Sequence, residues 1–360
     1  MKCEDRKTAE DLLSQFGLEH LSDSFVINLS NGEQRKLELI KALAAKPDLL
    51  VLDNAFTGLD SSSRPLLAQM LEKLIADRHT IVMTGLEPGD FPPSVKTFIV
   101  LRDGFVKQIC KREELPVEEI DTIECKTMPI RWAGSTFAEL VYLNKVSLQY
   151  GQHKILDKVD WLINTGERWS LTGPNGSGKT SLLNLIFGDN PKAYGCDIRL
   201  FGEQKGSGES IWDIKARIGF VSPELHQFLP QNQTVADVIC SGFNEAESTF
   251  RNPTGYQRDV AQQWLKTLGY ANIGSRVFGE LSTSAQRVVL FIRTLVKSPP
   301  LLILDEPFQG LDTAHVRLLK DLLCRISNET NCAMVFVTHL PDELPGCFTF
   351  HLRLDKGKVI

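Results

Sequence analysis

The sequence predicts an α/β fold built from strand, loop and helix units, present once in full and once in part. Three observations carry this expectation. A glycine-rich loop, Gly173-Pro174-Asn175-Gly176-Ser177-Gly178-Lys179-Thr180, lies between a stretch that reads as a strand (167–172) and one that reads as a helix (181–186). Two short apolar runs, Leu301–Leu304 and Met334–Val337, end in polar residues, as buried strands that deliver side chains to a site do. The third observation is that the chain repeats itself.

In the first copy Leu29-Ser30-Asn31-Gly32-Glu33-Gln34-Arg35 precedes an apolar helix pattern, then Leu49–Leu52 with Asp53, then Gly58-Leu59-Asp60. In the second, Leu281-Ser282-Thr283-Ser284-Ala285-Gln286-Arg287 opens the same series, followed by Leu301–Leu304 with Asp305, then Gly310-Leu311-Asp312. The offset is constant, because 281 − 29, 305 − 53 and 312 − 60 are each 252. The counterpart of Gly173 would precede residue 1, so the first copy is read as the back part of a unit, 1–112. A linker is expected at 113–137, and a whole unit at 138–360. The stretch from Met1 to about Phe25 begins in mid-unit and is expected to be poorly held unless the second unit covers it.

Composition narrows the functional classes. The 360 residues are 42% hydrophobic and 24% charged, which suits globular domains and excludes a disordered or collagen-like chain. Forty Lys+Arg against 45 Asp+Glu leave a net charge of -5, so no global basic field exists to hold nucleic acid, and no nucleic-acid partner is expected. No apolar stretch reaches the roughly 18 to 20 residues that span a bilayer, and a cytoplasmic place is expected. The eight cysteines include no C-x-x-C pair and are read as reduced thiols.

The loop fits G-x-x-x-x-G-K-[ST], in which glycines turn successive backbone N–H groups onto phosphate oxygens and the following helix adds its positive end. Residues Gly173 to Ser181 are therefore the candidate nucleotide cradle. Lys179 reaches toward the β- and γ-phosphates. Thr180 offers a hydroxyl to Mg²⁺, and Asp305 holds the same ion directly or through water. Glu306 follows at the strand end, where a second carboxylate can orient and deprotonate an attacking water, so it is the candidate general base. His339, after the second apolar run, can donate to the γ-phosphate or position the water. Tyr150, 23 residues before Gly173, offers a flat face to adenine.

Together these motifs resemble the ATP-binding cassette family over essentially the whole chain. That resemblance implies a P-loop ATPase with an α/β core, an antiparallel β region and a helical subdomain, as one complete and one partial cassette. It also implies that two cassettes pair within the chain around ATP, each site joining the phosphate loop of one to the L-S-G-G-Q-type signature of the other. The signature positions are Ser30, Asn31, Gly32 and Glu33 in the first copy, and Ser282, Thr283, Ser284 and Ala285 in the second. Thr283 and Ser284 replace both glycines, so the second signature looks impaired. Asn54 stands where Glu306 stands, and Thr84-Gly85 where Thr338-His339 stands. One composite site is thus expected to hydrolyse ATP and the other to be degenerate. Pro223 follows Ile218–Ser222 where the family carries a glutamine beside Mg²⁺, and Gln227 lies four positions too late to take its place.

Within the family, the tandem cassettes and one-sided degeneration are most similar to the type associated with molybdate transport. The leading expectation is an ATPase subunit serving an integral membrane permease, peripheral on the cytoplasmic face of the inner membrane. A non-transport tandem ATPase acting on ribosomes or in DNA repair is the alternative. Cargo is not encoded in these motifs.

Overall fold

In the computed structural model the apolar runs become strands, and the chain divides into two compact units, Met1–Ile120 and Asp121–Ile360. The structure describes all residues except 1–5, 23–25, 27–28, 30, 46, 57–58, 60–62, 87, 103, 117–127, 130–131, 133–135, 152, 224–230, 244–251 and 339–340, and the side chains of 6, 31, 32, 35, 102 and 341.

The second unit contains β5 (Glu139–Tyr150), β6 (His153–Asn164), β7 (Arg168–Thr172), α4 (Lys179–Phe187), β8 (Asp197–Leu200) and β9 (Glu203–Gln204). These are followed by α5 (Ile211–Arg217), β10 (Ile218–Val221), α6 (Val235–Cys240), α7 (Gly255–Thr267), α8 (Thr283–Leu295), β11 (Leu301–Asp305), α9 (Thr313–Glu329), β12 (Ala333–Val337), β13 (Phe350–Asp355) and β14 (Lys358–Val359). The central sheet has the order β10-β11-β12-β7-β13-β14, parallel except for β14. A separate antiparallel sheet runs β6-β5-β8-β9.

Why β11 and β12 read as unbroken apolar runs is now visible, for every residue of both is buried. Successive side chains point to opposite faces. Leu301 and Ile303 join Ala333 and Val335 in a core with α4 and the antiparallel strands. Leu302 and Leu304 join Met334 and Phe336 in a second core with α6, α7, α8 and α9. Part of the 113–137 stretch also packs here, since Met128 and Trp132 lie against the helical core and Trp132 Nε1 donates to Pro299 O at 3.2 Å.

The first unit contains α1 (Arg6–Gln15), α2 (Asn31–Ala44), β1 (Leu49–Leu52), α3 (Ser63–Ala76), β2 (Thr80–Met83), β3 (Phe98–Arg102) and β4 (Phe105–Cys110). Strands β1 and β2 pair in parallel, and β3 and β4 form an antiparallel hairpin. The expectation of a poorly held start is corrected for the described residues. Leu12 and Phe16, one helical turn apart, are buried with Leu18 in one cluster with Leu39, Ile40 and Leu43, so the unit's own core holds α1.

Strand register also corrects one equivalence. Leu49 pairs with Thr80, and Leu301 with Ala333, so the offset is 301 − 49 = 252 on one strand but 333 − 80 = 253 on the next. Thr84 is therefore level with Val337, and Leu86 takes the His339 position. The connection into β2 is one residue shorter than its counterpart, which similarity of short motifs does not reveal. A last contrast concerns one sheet face. Leu49, Val51 and Val82 are 52%, 63% and 52% exposed, whereas Leu301, Ile303 and Val335 at the same places are wholly buried beside α4 residues.

Candidate nucleotide site

Strand β7 delivers its carboxyl end into the loop Gly173–Gly178, and α4 leaves it. Gly173 has φ +148°, and a Cβ there would stand 2.2 Å from Leu354 O and 2.8 Å from Ser177 Oγ. Only glycine lets β13 and the loop approach this closely. The far side is tied by Gly357 N donating to Ser177 O at 3.0 Å. Lys179 is buried, and its ammonium donates to Gly173 O at 2.8 Å and Pro174 O at 3.0 Å, which folds the side chain back over the loop.

Asp305 and Glu306 arrive two strands away. Across the sheet Asp305 pairs with Val337, Val337 with Leu171, and Leu171 with Leu352, so these residues form one row at the carboxyl ends of parallel strands. Glu306, Thr338 and Thr172 lie one residue further on, at the edge where the loop begins. This is the edge on which open parallel α/β sheets place their ligands.

Glu306 has φ +44°, a left-handed conformation uncommon for a side chain of its kind. Its N–H donates to Val337 O at 3.0 Å, and its carboxylate accepts from Gln309 Nε2 at 3.3 Å. The turn therefore aims the side chain away from the strand instead of along it. Asn54 has φ +47°, so the first unit keeps the same turn with a residue that tolerates it better. There Thr84 Oγ1 bonds both Asp53 Oδ1 and the Asn54 N–H.

The structure thus gathers Gly173–Ser181, with Lys179 and Thr180, at the sheet edge that also carries Asp305 and Glu306. Tyr150 ends β5, is 47% exposed, accepts from Asn190 Nδ2 at 2.8 Å, and has the Lys192 ammonium over one ring face at 4.3 Å. Asn31 to Glu33 make the first turn of α2. Ser30 and His339 lie outside the described residues, as do the side chains of Asn31 and Gly32 and the whole of Gln227. Thr338, next to His339, is buried and donates to Glu343 Oε2 at 2.9 Å. In the second signature Ser282 caps α8, its hydroxyl accepting from Ala285 N at 3.3 Å. Sequence reasoning missed Gln309, although its spacing of three from Glu306 in a turn is the signal that finds it.

The donors suit the groups assigned to them. Ser177 Oγ is buried without a hydrogen-bond partner and lies inside the loop, where a phosphate oxygen would satisfy it. A threonine hydroxyl and a buried carboxylate are hard oxygen donors of the kind Mg²⁺ takes, so Thr180 and Asp305 fit that ion.

A parallel sheet, a phosphate-type loop at its carboxyl edge, an antiparallel sheet beside it and a helical core on its other face define a P-loop nucleotide-binding unit. Comparison with known proteins gives the family. The model of the ABC transporter family matches residues 2–57 and 156–309. The ABC transporter ATP-binding protein ModF of Escherichia coli is 36% identical over 98% of this chain and 75% of its own length. An uncharacterized ABC transporter ATP-binding protein of Schizosaccharomyces pombe is 34% identical over 98% of this chain and 73% of its own. Among solved structures, a nucleotide-free ATP-binding cassette covers 62% of this chain and 90% of its own, with TM-score 0.54 and 20% identity. A dimeric cassette bound to ADP and Pi covers 61% and 96%, with TM-score 0.52 and 23% identity. The chain belongs to the ATP-binding cassette family, and it is a P-loop ATPase. No described helix is long and apolar enough to cross a membrane.

Proposed function

We propose that the chain is a tandem-cassette ATPase with one hydrolytic composite site, working as the energy-converting subunit of a transporter of the molybdate type. The observation that carries the hydrolytic assignment is the placing of Glu306 one residue beyond Asp305, on the sheet edge where the Lys179 loop begins. In the first unit Asn54 takes that position, and an amide does not accept the proton.

In this reading the N–H groups of Gly173–Gly178 and the head of α4 bind the phosphates. Lys179 turns from its carbonyl partners toward the β- and γ-oxygens. Thr180 and Asp305 would hold Mg²⁺, which when bound supplies charge neutralisation on the phosphate oxygens. Glu306 takes the proton of the attacking water, and His339 orients that water or donates to the γ-phosphate. Tyr150 stacks on adenine. Ser30 to Glu33 complete the site from the first unit, the two cassettes pairing within the chain. Movement of a permease on the cytoplasmic face of the inner membrane would follow from this closure.

The transport assignment rests on the ModF likeness and is less direct than the chemistry, because Pro223 stands where the family's glutamine meets the metal site. Replacing Glu306 by Gln is expected to lower ATP turnover about 10²- to 10⁴-fold while nucleotide binding persists. Unchanged turnover refutes the assignment of the base. Capture from native lysate with E306Q and ATP tests the role: an integral membrane partner supports it, and ribosomes or DNA overturn it.

A further inference from the structure

A partly buried polar chain runs through the helical side of the second unit. Ser284, buried at the start of α8, has its hydroxyl toward the Asp312 carboxylate and helps to hold it ionised. Asp312 caps α9, its Oδ1 accepting from His315 N at 3.0 Å. The His315 ring closes back on the same carboxylate, with Nδ1 at 2.6 Å from Oδ1 and 2.7 Å from Oδ2. On the far side of the ring, His315 Nε2 meets the Tyr270 hydroxyl. An ionised carboxylate only accepts, so Nδ1 carries a proton toward Asp312, and Nε2 shares a hydrogen bond with the tyrosine hydroxyl.

The chain reaches the chemistry through a short segment. From Glu306 to Asp312 the backbone makes two turns, Gln309 N to Glu306 O at 3.1 Å and Leu311 N to Phe308 O at 3.1 Å. Phe308 and Leu311 are buried, and Gln309 holds the Glu306 carboxylate from within this segment. Glu306 stands at one end and Asp312, gripped by two side chains and a backbone amide, at the other.

The internal repeat gives an independent comparison. At the offset of 252, Tyr270, Ser284 and His315 correspond to Leu18, Gly32 and Ser63, while Asp312 corresponds to Asp60. The aspartate is common to both copies. The three residues that grip it occur only in the copy that carries Glu306.

We propose that Tyr270, His315 and Ser284 are positioning residues that, through Asp312, fix the Glu306–Asp312 segment and hold Glu306 at the angle needed to activate water. Ser284 then has a use of its own. The residue that departs from the signature's glycine is a strut from the start of α8 to the loop of the base, with its hydroxyl committed inside the unit. This rests on the reading of Glu306 as the general base.

The test uses the full chain with Y270F, H315Q and S284G, each alone and in pairs, measuring ATP turnover, KM, thermal midpoint and binding of a fluorescent ATP analogue. Each single variant is expected to lower kcat about tenfold with KM and analogue affinity within twofold, since a small misplacement of a reacting group costs rate more than binding. Pairs are expected to lose no more than the worse single, as links of one chain do. Serine-to-threonine replacement at 284 keeps the hydroxyl and is expected to restore most of the rate. Rates within twofold of the parent, or losses that track a falling thermal midpoint and are not restored by threonine, overturn the proposal. The E306Q variant run alongside separates the two readings. If it retains turnover, the assignment of the base is what fails, and if it is inactive while the three variants keep full kcat, the positioning chain fails alone.

Discussion

Replacing Gly173 by Ala tests the loop geometry at its tightest point. The added Cβ would meet Leu354 O at 2.2 Å, and real Cβ contacts do not fall below 3.0 Å, so 3.0 − 2.2 = 0.8 Å must open between the loop and β13. The obstacle is backbone inside a paired strand, because Arg353, one residue earlier, is in register with Thr172. Opening it strains the sheet by about 1 to 3 kcal/mol, the usual cost of overpacking. Gly176, with φ +75° and nothing within 4 Å of an added Cβ, supplies the control. It meets the left-handed penalty of about 1 to 2 kcal/mol without the clash. For a unit of this size each kcal/mol moves the midpoint by roughly 2 to 4 °C. G173A is therefore expected to melt roughly 2 to 12 °C below G176A and to bind a fluorescent ATP analogue at least about tenfold more weakly than the parent chain. Differential scanning calorimetry and a binding titration measure both. Equal melting of the two variants, with full affinity in G173A, refutes the close-approach argument.

Asp312 is pushed up by burial, but its bonds from His315 and Ser284 outweigh this and hold it at about 2, against 3.8 ordinarily. A depressed carboxylate stabilises the fold above its unfolded value and loses that contribution as the pH falls through its folded value, here from about 3.8 toward 2. Discounted for its 31% exposure, the effect is about 1 to 2 kcal/mol. D312N keeps a capping residue, so urea unfolding should show it less stable by that amount at pH 7, with the gap closing below about pH 4, and a gap independent of pH counts against the bond. Val51 and Ile303 occupy repeat-equivalent positions, one 63% exposed and one wholly buried. V51T is expected to change stability by less than about 0.5 kcal/mol, and I303T to cost about 2 to 4 kcal/mol, because a buried hydroxyl loses its water and methyl packing is lost with it. Chemical unfolding of both variants checks the contrast, and similar costs would mean the two faces are equally covered.

The parts of the site legible in sequence were those whose chemistry is local. A phosphate loop needs glycine at fixed spacing because the constraint lies within the backbone of one short segment, and Gly173 to Thr180 state it in consecutive letters. Asp305 and Glu306 were readable because a wholly apolar run implies a strand buried on both faces, whose first polar residue marks its end. Equivalences across a connection of variable length were not readable. Thr84 shares a letter with Thr338, yet strand pairing sets it level with Val337, since register is fixed by hydrogen bonds between strands and motif spacing does not count them. The start of the chain shows the same limit. Leu12 and Phe16 have helical spacing, but what they are buried against, Leu39, Ile40 and Leu43, is a tertiary fact.

Ser284 shows how a local reading of a motif can assign the wrong cost. Read as a letter, it adds a Cβ and a hydroxyl where the family has glycine, and implies only that nucleotide contact is impaired. Its surroundings give the hydroxyl a partner in Asp312, and Asp312 a second one in His315, which Tyr270 holds in turn. The first unit makes the opposite choice at each of these places, with Gly32 in its signature, Ser63 and Leu18 in place of the grip, and Asn54 in place of the base. If the copies had simply decayed independently, there would be no reason for the grip and the base to fall in the same copy. Read as the base, Glu306, whose backbone is left-handed and whose carboxylate accepts from Gln309 at 3.3 Å, gains from a rigid segment behind it, and an amide that takes no proton gains nothing. On the proposed reading the asymmetry between the copies is a division of labour, in which one copy keeps its signature glycine and the copy that lost it stiffens the carboxylate assigned to take the proton.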